Sequence, residues 1–202
     1  MMPAAQAVTD AAVPTRDRIL YAAAGLFGRQ GYTGTGLKQI SEASQAPFGS
    51  LYHHFPGGKE ELGDDVIRQA GEFFRVLVDG VFEPEPDVVA GVRAVFDGAA
   101  ETVRATGYQD ACPIAAIALE VASTNERLRL ATAEVFESWI ATATGRFTDA
   151  GIAPPRAREL ALTLVAALEG GFLLARATHD TTALTTAGDL LANAVAQELH
   201  TT

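Results

Sequence analysis

Between Pro47 and Lys59 the chain gathers side chains suited to touching base-pair edges and phosphates. Gly49 lets another backbone come close, and Ser50, Tyr52, His53 and His54 offer hydrogen-bonding groups within one short stretch. Lys59 stands near the start of a further helix, where free N–H groups and the dipole favour an anion. Leu51 and Phe55, four residues apart, would anchor the same stretch to a core. This is binding chemistry. No nucleophile–base–acid set emerges; Asp64-Asp65 reads as a solvated helix turn, and no enzyme activity is expected.

Such groups need elements to present them. Leu37, Ile40 and Ala43 repeat every three residues and predict a short helix over about 36–43, with Thr35 as its cap. Ser44-Gln45-Ala46 is a tight break, and Pro47 suits the first turn of a second short helix over about 47–53. Two short helices joined by such a turn make a helix-turn-helix, whose second helix enters the major groove with its N-terminal residues at the bases. The spacing fits equally a three-helix packing unit with incidental polar residues. Ahead of it, Leu20, Ala23, Ala24 and Phe27 mark one apolar face of a helix over 15–30, with Thr15 as cap and Gly31 as stop. A long helix follows over 59–82, then helical stretches over about 87–105, 113–122, 126–149, 156–177 and 182–199. No run alternates with period two, so the fold is expected to be all-α. Residues 1–14 read as a flexible tail, 15–58 as a helix-turn-helix domain, and 59–202 as a second helical domain.

Composition narrows the classes. The 202 residues are 48% hydrophobic and 20% charged, enough apolar material for a core and too much for a disordered chain. A single cysteine, Cys112, rules out a disulfide scaffold. The first 14 residues carry Asp10 and no basic residue, unlike a secretory signal, and no 18-residue apolar run is free of charge; a cytoplasmic protein without a membrane partner is expected. The net charge of −10 is unevenly placed. From Thr15 to Lys59 five basic residues (Arg16, Arg18, Arg29, Lys38 and Lys59) face two acids, Asp17 and Glu42; the acidic surplus lies beyond. The basic window could approach phosphates that the rest would repel.

The run Gly31-Tyr32-Thr33-Gly34-Thr35, then Ile40, then Gly49-Ser50-Leu51-Tyr52-His53-His54-Phe55, then Lys59-Glu60-Glu61-Leu62 resembles the DNA-binding domain of the TetR family of bacterial repressors. Tyr108-Gln109-Asp110-Ala111-Cys112-Pro113-Ile114, ending at Leu119-Glu120, is similar to the LmrA/YxaF-like branch, as is Pro56-Gly57-Gly58-Lys59. The resemblance implies a homodimer that binds a palindromic double-stranded DNA operator and releases it when a small-molecule effector enters the C-terminal domain. It also implies site residues: Thr33 and Thr35 toward the DNA backbone, Gly49, Ser50, Tyr52 and His53 toward the groove, and His54 and Lys59 toward phosphates. Lys38, Pro47 and Phe48 complete the candidate DNA-binding set. Phe48 departs from the family, which commonly has Lys or Arg there, so one phosphate contact is in doubt. The alternative function is a helical small-molecule-binding protein with a weak or vestigial DNA-binding domain.

In the second domain Phe73, Phe74, Phe96, Tyr108, Cys112, Phe136, Trp139 and Phe172 are candidates for an effector pocket, and each could equally be core. The last two helices suit a dimer interface: Leu168, Gly171, Phe172, Ala175, Leu184, Leu191 and Val195 combine small and apolar residues, and the same stripe could instead pack within one subunit. His179 and His200 read as lone surface histidines. Neither a metal nor a cofactor is expected: adjacent His53 and His54 point about 100° apart on a helix, and neither Gly34-Thr35-Gly36 nor Gly57-Gly58-Lys59-Glu60 completes a nucleotide-binding motif.

Overall fold

The computed structural model describes residues 13–109 and 112–200. Most of the tail over 1–14, with its Asp10, and the pair Asp110-Ala111 lie outside the described residues. Among the described residues every regular element is helical: α1 (Thr15–Gln30), α2 (Leu37–Ala43), α3 (Phe48–His54), α4 (Gly58–Phe82), α5 (Val88–Ala105), α6 (Pro113–Val121), α7 (Glu126–Asp149), α8 (Pro154–Thr178) and α9 (Thr182–His200). The chain divides into two compact units, residues 13–73 with 112–135, and residues 74–109 with 136–200.

In the first unit α1 packs against α2, α3 and α6. Its core is the apolar face of α1 (Ile19, Leu20, Ala23, Phe27) with Ile40, Leu51, Phe55, Leu62 and Val66, all buried. Two helix starts differ from the sequence reading. Gly36, not Thr35, holds the cap position of α2, and its N–H donates to Gln39 Oε1 at 2.7 Å. Pro14 precedes α1, so Thr15 is its first residue. Asp64 is not solvated: it is buried and accepts from Arg68 Nε and Arg127 Nε, each at 2.8 Å, while Asp65 pairs with Arg16 at 2.7 Å. Two cations compensate the burial of one carboxylate and fasten α4 to α7.

In the second unit α9 packs on α5 and α8, and α5 on α8. α8 begins at Pro154, ahead of the expected start at about 156, because Pro154 and Pro155 form its first turn, where a missing N–H costs nothing. Gly171 shows why α8 and α9 lie close: a Cβ there would stand 2.5 Å from Leu184 Cδ2. Leu168, Gly171, Ala175, Leu184, Leu191 and Val195 are therefore buried in the subunit's own core and are not available to a partner, contrary to the interface expected of them. Phe172 is half-buried. The large apolar side chains these two helices leave exposed are Leu162, Leu173 and Leu174 on α8 and Leu190 on α9. By length and composition alone α8 could cross a membrane, and the exposed leucines contribute to that apolar character.

Candidate nucleic-acid interface

The turn between α2 and α3 is fixed by local chemistry. Ser41 Oγ donates to the Ala46 carbonyl at 2.6 Å, Ser44 is buried, and Gln45 takes the left-handed conformation at φ 52°. Pro47 then stands at the cap of α3, and Leu51 and Phe55 fasten the helix inward. This leaves Pro47, Phe48, Gly49, Tyr52 and His53 on the exposed side, with Ser50 and His54 half-buried. Phe48 does not fold onto the core: it is 48% exposed, and its ring meets that of Tyr52 edge-on at 5.6 Å. The two aromatic rings form a single apolar patch on the helix. His53 and His54 have ring centroids 5.0 Å apart. Lys38 on α2 is exposed, with Glu42 at a loose 3.9 Å.

The segment before α2 departs from expectation. Thr35 is 1% exposed, and its hydroxyl donates to the Gly31 carbonyl at 2.6 Å while accepting from Gln30 Nε2 at 3.2 Å. It holds the turn and has no surface to offer a phosphate. Thr33 is exposed, but its N–H donates to Glu120 Oε2 at 2.6 Å, and the Tyr32 N–H donates to Glu120 Oε1 at 3.0 Å. Lys59 lies over the Tyr32 ring, 4.4 Å from its centroid. Burial pushes the Lys59 ammonium below its usual range, against the opposing pull of Glu120. Burial also disfavours the charged form of Glu120, but hydrogen bonds from Thr33 and Tyr32 and the Lys59 charge outweigh it and hold the carboxyl below its usual range. Burial, aided by Glu60, raises the Tyr32 phenol. Sequence reasoning noted Glu120 only as the end of a motif and missed this role, because its partners lie almost ninety residues away.

Two family models match the chain: Bacterial regulatory proteins, tetR family, over residues 19–66, and Transcriptional regulator LmrA/YxaF-like, C-terminal domain, over residues 88–190. The chain belongs to the TetR family. It is 35% identical to the HTH-type transcriptional regulator LmrA of Bacillus subtilis over 170 residues, covering 84% of this chain and 90% of that one. With the HTH-type transcriptional regulator YxaF of the same organism the identity is 34%, covering 84% and 89%. A TetR transcriptional regulator from Legionella pneumophila shares the fold, with a TM-score of 0.82 at 23% identity, covering 92% of this chain and 99% of that one. This TetR-family chain is thus a DNA-binding transcriptional regulator whose helix-turn-helix is α2 and α3.

The second unit of this TetR-family regulator holds a cavity of about 30 Å³, room for little more than a water molecule. Of the expected pocket residues, Phe74 and Trp139 line it, with ring centroids 4.4 Å apart. Val78, Phe82, Leu164 and Leu168 add further apolar wall. Arg75 and Arg146 also border it, and both reach Asp79, at 2.9 and 2.6 Å. Phe96 is wholly buried and packs in the core of this unit, and Phe136 meets Trp139 edge-on without lining the cavity. Tyr108 instead stacks flat on His179, 5.0 Å between centroids, so His179 is exposed as expected but does not stand alone. Phe73 and Cys112 belong to the first unit and are not among the lining residues.

Proposed function

We propose that this TetR-family regulator is a repressor that binds a palindromic operator as a homodimer and lets it go when a small apolar molecule occupies the cavity beside Phe74 and Trp139. Residues 15–58 supply the DNA contacts, joined by Lys59 at the boundary, and 59–202 the cavity and the subunit interface. The exposed face of α3 carries this reading: a helix held to its core by Leu51 and Phe55 has no internal use for Phe48, Gly49, Tyr52 and His53 pointing outward. Such a face suits base edges, with Phe48 placed for a thymine methyl and Ser50, Tyr52 and His53 for hydrogen bonds. Lys38, half-buried His54 and Lys59 would serve nearby phosphates, and the Thr33 side chain the DNA backbone.

The mainly apolar wall of the cavity supports a largely apolar effector; of the polar residues that also line it, Arg75 and Arg146 are paired with Asp79, and Thr142 and Glu169 complete the lining. At its present size the cavity must open for any such ligand, so binding and conformational change are linked. Leu162, Leu173, Leu174 and Leu190 are the natural material for the homodimer interface, because isolated exposure of so many leucines on two adjacent helices is costly in water. A gel shift with the DNA upstream of the gene, repeated with candidate effectors while Trp139 fluorescence is followed, tests the reading. A true effector changes the fluorescence and weakens operator binding at least about tenfold, roughly 1.4 kcal/mol. Tight ligand binding that leaves operator affinity unchanged contradicts the proposed release.

A further inference from the structure

The link from α1 to α2 must be held in one shape, because α2 orients α3. Its conformation is unusual. Gly31 stands at φ 82° and ψ 163°, a region open essentially only to glycine, and a Cβ there would fall on Glu120 Oε1. The two following N–H groups, of Tyr32 and Thr33, point the same way and would be left unpaired by the link itself. Glu120, in the last turn of α6, supplies both acceptors with one carboxylate. The Lys59 ammonium at the start of α4 covers the Tyr32 ring from another side, and Tyr32 also packs on Phe27 of α1 at 5.2 Å. Three helices and the link thus converge on one charge-assisted cluster, and only Glu120 comes from beyond residue 62.

We infer that Glu120 is a positioning residue for operator binding: its carboxylate, by accepting from Tyr32 and Thr33, sets the link that aims the helix-turn-helix. The inference rests on the DNA-binding role of α2 and α3 but not on any effector. Glu120 itself touches no DNA in this role. Its loss therefore lowers operator affinity without altering the number of phosphates neutralised, which a phosphate-repelling acid would not do; amide exchange confined to the link separates this role from general destabilisation. Hydrogen bonds to a charged acceptor are about twice as strong as neutral ones, so the neutral isostere Gln keeps only part of the function.

The test uses the full chain and an operator duplex selected in vitro from a random pool by the wild-type protein. Glu120→Ala is expected to lose tenfold or more in operator affinity, and Glu120→Gln to fall between it and the wild type, with the salt slope of binding unchanged. In the free protein, amide exchange at Tyr32 and Thr33 should speed up at least tenfold in Glu120→Ala while the middle of α1 exchanges as before. Affinity within twofold of the wild type, or unaccelerated exchange at those two amides, overturns the inference. So does tighter binding with a steeper salt slope, which would place Glu120 against phosphate. If Glu120→Ala fails to fold, Glu120→Gln decides alone, an affinity equal to the wild type counting against the inference. If the wild type selects no duplex, the DNA-binding reading fails instead, and the amide exchange still judges Glu120.

Discussion

Replacing Phe48 separates a DNA-reading side chain from a structural one. The residue is 48% exposed and its main neighbour is the Tyr52 ring at 5.6 Å, so Phe48→Ala removes an edge-on aromatic pair and little buried area. Such pairs contribute about 0.5–1.5 kcal/mol, against about 3–5 kcal/mol for truncating a buried phenylalanine. At about 2–4 °C per kcal/mol for a chain of this size, the melting temperature should fall by roughly 1–6 °C. On DNA the same change should relax preference at one base pair per half-site, by about 1–3 kcal/mol, with the salt slope unchanged. Phe48→Arg restores the basic residue common in the family. It should lower the melting temperature by no more than Phe48→Ala does, since it loses the same ring pair, and steepen the slope of log K against log[salt] by about two per dimer, one added phosphate contact per subunit. Thermal melts and fluorescence anisotropy at two salt concentrations read both variants. A melting loss well beyond 6 °C in Phe48→Ala, or an unchanged salt slope in Phe48→Arg, refutes the placement of this ring against DNA.

Three further outcomes follow from the geometry. Gly31→Ala should destabilise the protein by at least about 1–3 kcal/mol from its φ of 82° alone, and removing the Glu120 carboxylate should not fully rescue it in calorimetry. Because the Glu120 pKa is depressed in the folded state, its contribution is present above the ordinary glutamate range and is lost as pH falls through the folded value; urea melts from neutral pH to about pH 3 should show a shallower acid limb for Glu120→Gln, and identical profiles would contradict this. Leu173→Asp with Leu174→Asp, placed on the exposed side of α8, should convert the proposed homodimer to monomer by light scattering, whereas an unchanged dimer mass would put the interface elsewhere.

Much of the helical plan was legible because proline and glycine punctuate it: the expected helix over 126–149 matches Glu126–Asp149, and Gly31 and Gly57-Gly58 mark real breaks. The second helix of the helix-turn-helix was legible from Pro47 at its start and from its two core anchors, Leu51 and Phe55, standing one turn apart. Local signals failed where a competing contact, near or distant, decided the outcome. Thr35 has the side chain of a helix cap, but its hydroxyl finds a nearer acceptor in the Gly31 carbonyl. Glu120 carries no local sign that its carboxylate meets two N–H groups of another element. Periodicity identified an apolar stripe on α8 and α9 but could not say which neighbour it faces; the close approach of Leu184 to Gly171 turns that stripe inward, and other leucines are left outside.

In the proposed function α2 and α3 bind DNA through a few phosphate contacts and a base-reading face. Anisotropy of a labelled duplex from upstream of the gene, titrated between about 50 and 200 mM salt beside a scrambled duplex, tests it most directly. With about three to five phosphate contacts per subunit, specific binding should show a log–log slope of roughly −5 to −9 per dimer. Equal affinity for both duplexes, or specific binding with a slope near zero, would contradict it.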